Sequence, residues 1–285
     1  MTTPLPVTNT AGVSVLVPLK GLRGAIARSM TAGWQAPRVA LGIEVDMTQC
    51  LRLRATLRAT AGQERLSITP IVLRAVAQSL RAFPAMNALM REGAVEQMPD
   101  IHLGLAVSLD DGLTVPVLRN ADQKSIAELA LESGHVAVAA RSGTLPMKGY
   151  QGATFTVTNL GMTGVEWFTP IINAPQIAIL GLSRVSEKAV VRGEKIEIAS
   201  MTTLTLVFDH RAVDGYPAAQ FLQNLQARLT TCDGLLWIAR CTCRLPRCRC
   251  RSMHRVTRNR RGIARNWRNR CSRRRCACGL TGHRR

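Results

Sequence analysis

Asp209-His210-Arg211-Ala212-Val213-Asp214-Gly215 brings together, in one short stretch, the residue types that acid–base chemistry needs. His210 follows the apolar run Thr203-Leu204-Thr205-Leu206-Val207-Phe208, so a strand delivers it on a rigid element. An imidazole held there suits the role of general base. Asp214 sits close enough to fix the local geometry, and Gly215 permits a sharp backbone turn. A bare His-x-x-x-Asp-Gly also describes a structural turn, whereas the full string DHRAVDG is far more specific. The other histidines of the body, His102 and His135, read as structural, one on a strand's polar face and the other in a helix.

The elements that must position this loop follow from periodicity. Leu22 to Trp34 has helical spacing, Val39 to Val45 alternates toward a strand, and Met47 to Thr60 is helical again. Pro70 opens a helix running to about Ala82, at a first-turn position where proline is tolerated, and Pro84 stops it. Ile101 to Leu109 alternates as a half-buried strand, and Asp110-Asp111-Gly112 turns the chain into a second strand, Leu113 to Leu118. Lys124 to Arg141 reads as a helix. Strands are expected at Ala153 to Thr158, Gln176 to Leu182, Arg184 to Val191, Lys195 to Ala199 and Met201 to Phe208, with Arg192-Gly193 as a hairpin tip. Tyr216 to Leu229 closes the body as a helix. Strands and helices mix without strict alternation, which predicts an α+β sandwich, a mixed β-sheet with packed helices, over a doubly wound parallel sheet.

DHRAVDG resembles the active-site motif of the dihydrolipoamide acyltransferase family, the acyl-transferring component of 2-oxo acid dehydrogenase complexes. VPLKGLRGAIARSM (Val17 to Met30) resembles the opening of that catalytic domain. DGLTVPVLRNAD (Asp111 to Asp122), FTVTNLGMTG (Phe155 to Gly164) and FTPIINAPQIAILGLSR (Phe168 to Arg184) resemble later stretches in the family's order. The resemblance covers residues 16–230 and implies a chloramphenicol-acetyltransferase-like fold. It implies transfer of a short acyl group between a dihydrolipoyl thiol and coenzyme A, which is a substrate here.

Such a transacylation needs a base for the incoming thiol, a donor for the oxyanion of the tetrahedral intermediate, and a water-poor meeting place. The resemblance gives His210 the first role and Thr158 the second, since a serine or threonine hydroxyl follows the family's F-T-x run. Thr156, on the same strand face, is the fallback, and β-propensity alone also explains a threonine here. Asp214 organises the loop. In relatives its equivalent is associated with a buried arginine, for which Arg23 and Arg28 both remain candidates; Arg211 is either a structural ion-pair partner or solvated. The resemblance further implies homotrimers with the active site at subunit contacts, built into a larger core that works with lipoyl domains and dehydrogenase components.

Two features depart from the family. Residues 1–15 read as a linker or disordered start and hold neither a lipoyl nor a peripheral-subunit-binding domain, so the lipoyl group is expected from another polypeptide or domain. Residues 231–285 form a basic, Cys-rich tail with 17 arginines, no lysine and one acid, which accounts for most of the net charge of +20. It reads as disordered or as an out-of-frame terminus of a GC-rich gene. Its Cys-x-Cys pairs are too closely spaced for common zinc sites, so no metal is expected. Its few aromatics make nucleic-acid stacking a minor reading. Cys50 alone lies in the body, which suits a reducing cytoplasm. No apolar run is long enough for a membrane span. The rival readings are an inactive structural core protein lacking its lipoyl domain, an acetyltransferase using acyl-CoA with another acceptor, and a basic nucleic-acid binder.

Overall fold

A computed structural model describes residues 16, 18–60, 66–109 and 112–236. Helix α1 (Gly21–Trp34) leads into strand β1 (Arg38–Asp46), then helices α2 (Thr48–Thr60) and α3 (Thr69–Ala82). Strands β2 (Ala88–Arg91) and β3 (Ala94–Gln97) precede four short strands, β4 (Leu103–Leu105), β5 (Val107–Leu109), β6 (Gly112–Thr114) and β7 (Val117–Leu118). Helix α4 (Ile126–Arg141) follows, then β8 (Phe155–Asn159), β9 (Ala178–Leu182), β10 (Ser186–Arg192), the long β11 (Lys195–Asp209) and helix α5 (Gly215–Thr231).

The main sheet runs β1-β11-β9-β8-β4-β7, with β10 paired to the first half of β11. Strands β4, β8 and β9 are mutually parallel, whereas β11 is antiparallel to both β9 and β1. The result is the expected α+β arrangement, a mixed sheet with helices packed on it. Phe155, Val157, Phe208 and Leu206 point to one face and join Ile71, Leu73, Val76 and Leu80 of α3 and Phe221 and Leu225 of α5 in the principal core. Phe221 anchors α5, with its ring 5.9 Å from Phe155 and 6.1 Å from Phe83. Aromatic contacts of this kind add packing energy beyond the area they bury. Ile172, Ile179 and Val207 form a smaller apolar cluster.

Local sequence explains the helix ends. Pro70 occupies the first turn of α3, where its missing N–H costs no hydrogen bond. Ser125 caps α4 in a capping box with Glu128, so that helix starts at Ile126 and not at Lys124. Chain beyond residue 230 still packs on the body. Leu235 is buried, and Gln78 donates to the Gly234 carbonyl at 2.7 Å. The expected disordered start at 1–15 and the tail from residue 237 onward lie outside the described residues.

The strands differ from expectation in four places. Ile101 to Leu109 is not one half-buried strand, because β4 is covered on both sides and all three of its residues are buried. The ladder passes from β4 to Ala106, whose N–H donates to the Val157 carbonyl, and β5 then leaves the sheet to pair with β6. Leu113 to Leu118 is likewise divided, since Pro116 has no N–H to give a ladder. Conversely, Lys195 to Asp209 is continuous. Ser200, read as a break, marks the region where β11 exchanges β10 for β9 as its neighbour. The β2–β3 hairpin, turning at Gly93 with φ of 68°, was not expected. Among the described residues no helix is long and apolar enough to cross a membrane.

Candidate active site

His210 stands immediately beyond the end of β11, where its backbone N–H donates to the Pro37 carbonyl at 2.9 Å. That bond ties the histidine to the corner between α1 and β1. The corner is itself closely packed. Arg38 lies over the Trp34 ring at 3.1 Å, and Gly33 packs so closely on Ile172 that a β-carbon there would fall 1.9 Å from the Ile172 carbonyl oxygen. The imidazole packs on Phe208, with ring centroids 5.8 Å apart, and remains 45% exposed. A base must reach its substrate, and this ring is both braced and open.

Asp209, next in sequence, is the buried anchor of the loop. Its carboxylate accepts from Arg211 Nη2 at 2.6 Å, from Nε at 3.0 Å and from the Arg211 backbone N–H at 3.0 Å. Its carbonyl accepts from Ala212 and Val213. Arg211 therefore pairs with Asp209, which resolves the alternatives left open for it. Asp214 occupies the N-cap of α5 in an extended conformation, without a side-chain capping bond. Its Oδ1 lies 3.8 Å from His210 Nδ1, too long for a hydrogen bond. Arg23 and Arg28 are both exposed, and among the described residues neither pairs with Asp214.

Thr156 and Thr158 share the face of β8 opposite the principal core. The Thr156 hydroxyl donates to Gln176 Oε1 at 2.6 Å and is buried. The Thr158 hydroxyl has no hydrogen-bond partner among the described residues, and the residue is 9% exposed. Its register partner Gly181 carries the Phe168 ring where a side chain would otherwise stand. An uncommitted hydroxyl in an apolar setting is chemically suited to receive developing negative charge.

The sheet register keeps these two groups apart. Thr158 pairs with Gly181, and Gly181 with Thr205, so Thr158 is level with Thr205 on β11. His210 lies further along, beyond Asp209, at the opposite end of the sheet because β8 and β11 run in opposite directions. At about 3.3 Å per residue and 4.8 Å per strand, the separation is on the order of 15–20 Å. Within one chain, His210 and Thr158 cannot act on the same carbonyl.

A cavity of about 1190 Å³ opens near the Thr158 end of β8, lined by Asn159, Leu160, Met162, Thr163, Thr69 and Arg141 among others. Asn159 braces its rim, donating to Thr69 Oγ1 at 3.1 Å and accepting from the Gly161 N–H at 2.7 Å. Sequence reading missed Asn159, although it directly follows Thr158. His102 is structural, its Nδ1 accepting from the Asn120 N–H at 3.1 Å, and His135 is exposed on α4.

The family model for 2-oxoacid dehydrogenases acyltransferase (catalytic domain) matches residues 12–237. The acetyltransferase component of the pyruvate dehydrogenase complex of Bacillus subtilis (strain 168) is 38% identical over 216 residues, 74% of this chain and 49% of that one. The chain thus spans about half the length of the curated relatives it matches. Among solved structures, a dihydrolipoamide acetyltransferase of Azotobacter vinelandii aligns with a TM-score of 0.76 and 34% identity, covering 82% of this chain and 99% of that one. It was solved to investigate a serine, a histidine and an asparagine in that enzyme's catalytic mechanism. The cubic core of a pyruvate dehydrogenase multienzyme complex aligns equally well, with a TM-score of 0.76, 35% identity and the same coverage of 82% and 99%.

Proposed function

This chain belongs to the family of 2-oxoacid dehydrogenase acyltransferase catalytic domains, and from that premise we propose that it moves a short acyl group between a dihydrolipoyl thiol and coenzyme A. His210 takes the proton of the coenzyme A thiol, and the thiolate attacks the carbonyl carbon of the acyl-dihydrolipoyl thioester. The Thr158 hydroxyl donates to the oxyanion. Collapse of the intermediate breaks the bond to the dihydrolipoyl sulfur, which leaves as the thiol by recovering the proton from His210. No covalent enzyme intermediate is formed. Asp214, at the N-cap of α5, holds the loop.

The observation that carries this reading is the separation of an exposed, braced His210 from an uncommitted Thr158 hydroxyl at opposite ends of one sheet. Two copies of the chain, each giving one group, complete a site that a single chain leaves divided. The Azotobacter serine, histidine and asparagine follow one another at the same sequence intervals as Thr158, His210 and Asp214 here. Threonine preserves the hydroxyl, and aspartate in place of asparagine adds a charge beside the base. The reading carries with it a homotrimer assembled into a larger core, by analogy with the cubic core found for a relative. It also carries a lipoyl group supplied by another polypeptide or domain, dehydrogenase components as partners, and the cytoplasm as place of work.

Acyl transfer to free dihydrolipoamide from acetyl-, succinyl- and branched acyl-CoA tests it. The expected result is transfer with a preference for one acyl chain, and a kcat lowered about 10²–10⁴-fold in His210→Ala. A folded protein that transfers none of them, or an unaffected His210→Ala, would overturn the assignment.

A further inference from the structure

Among the described residues, the acyl-transfer chemistry leaves two thiols unused. Cys50 lies in the first turn of α2 and is fully buried. Cys232 is the residue that ends α5, in a left-handed conformation with φ of 57°, and is half-buried. Though far apart in sequence, their Sγ atoms are 3.3 Å from each other. The Leu229 carbonyl oxygen lies 3.0 Å from Cys50 Sγ and 3.6 Å from Cys232 Sγ, holding both toward the same point. Sequence reading grouped Cys232 with the tail by composition. The fold instead places it against the body, beside the buried Leu235.

We propose that Cys50 and Cys232 are a dithiol site that closes to a reversible disulfide, tying α2 to the end of α5. A bonded pair needs an S–S distance of about 2.0 Å, so the sulfurs must approach by only about 1 Å. The two thiols are unequal. The bond to Cys232 and burial push the Cys50 thiol pKa up, while the hydrogen bond from Cys50 draws the Cys232 pKa down. The more exposed sulfur is therefore the better nucleophile.

With a small-molecule disulfide as oxidant, Cys232 thiolate attacks one of its sulfurs, forms a mixed disulfide and releases the first external thiol. Cys50 then loses its proton to solvent and attacks Cys232 Sγ, and the second external thiol leaves. Two electrons pass from the protein thiols to the external disulfide, both of whose sulfurs end as thiols. The cross-link closes a loop spanning most of the chain, which restrains the unfolded ensemble strongly. It also fixes the far end of α5, whose N-cap is Asp214.

The test uses the full chain treated with excess oxidised glutathione, blocked with an alkylating agent, digested, and mapped by mass spectrometry without reduction. The expected product is a peptide linking Cys50 to Cys232. The accompanying Tm rise should be about 5–10 °C, reversed by dithiothreitol and absent in Cys50→Ser and Cys232→Ser. Cys232→Ser, at the half-exposed position, serves alone if Cys50→Ser does not fold. Recovery of Cys232 only as a glutathione adduct or joined to cysteines between 241 and 278, with Cys50 still a free thiol, would overturn the proposal. So would a linked peptide without any change in Tm.

Discussion

The two threonines of β8 differ in what their hydroxyls already hold. Thr156 is committed to Gln176, and replacing it with valine leaves a buried amide oxygen without its donor. Thr156→Val is expected to cost about 1–3 kcal/mol of stability in urea titrations, with kcat per folded molecule within a few-fold of wild type. Thr158→Val should do the reverse. With no hydrogen bond to another described residue to lose, it should unfold at nearly the same urea concentration, while kcat falls about 10²–10³-fold. Equal effects of the two substitutions on kcat would remove the distinction. DHRAVDG was readable because its residues are contiguous and strand delivery follows from the apolar run before it. The relation of Arg211 to Asp209 was not, because a sequence does not show which neighbouring carboxylate is buried. The place of Cys232 was masked by composition, since the Arg/Cys-rich run begins beside it.

At the scale of elements, β1 hands over to α2 through Asp46, whose carboxylate accepts the Thr48 N–H at 2.9 Å and pairs with Arg192. Burial opposes ionisation of Asp46, but the Thr48 hydrogen bonds and Arg192 outweigh it, so its pKa is lowered below the ordinary 3.8. A carboxyl depressed in the folded state adds stability above the unfolded pKa and loses it as pH falls. Wild type is therefore expected to lose urea resistance below about pH 4 more steeply than Asp46→Asn. The two proteins should differ most near neutrality and converge in acid; parallel curves would contradict the linkage. Most elements were legible because helical spacing and proline punctuation agree with the fold, as at Pro70 and Pro84. The stretch Ile101 to Leu109 was misread for a physical reason. Small residues such as Gly104 alternate with leucines there without facing water, because Val115 and Thr156 crowd the Gly104 side of the strand. Alternation of size there mimics alternation of polarity.

For the whole molecule, the antiparallel run of β8 and β11 decides how a site can be assembled. It sends Thr158 and His210 to opposite ends of the sheet, so the proposed chemistry requires a second copy. Sequence intervals cannot show this; it emerges only from strand register, and the trimer was expected from the family resemblance alone. The most direct test mixes His210→Ala and Thr158→Val chains by co-expression, then assays acyl transfer in the isolated hetero-oligomers. Each variant alone should be nearly inactive. In the mixture, one type of contact joins an intact His210 from one chain to an intact Thr158 from the other, and random assembly in a cyclic oligomer should restore activity to about a quarter of wild type. A mixture as inactive as its components, with mixed oligomers shown to be present, would contradict a site shared between chains.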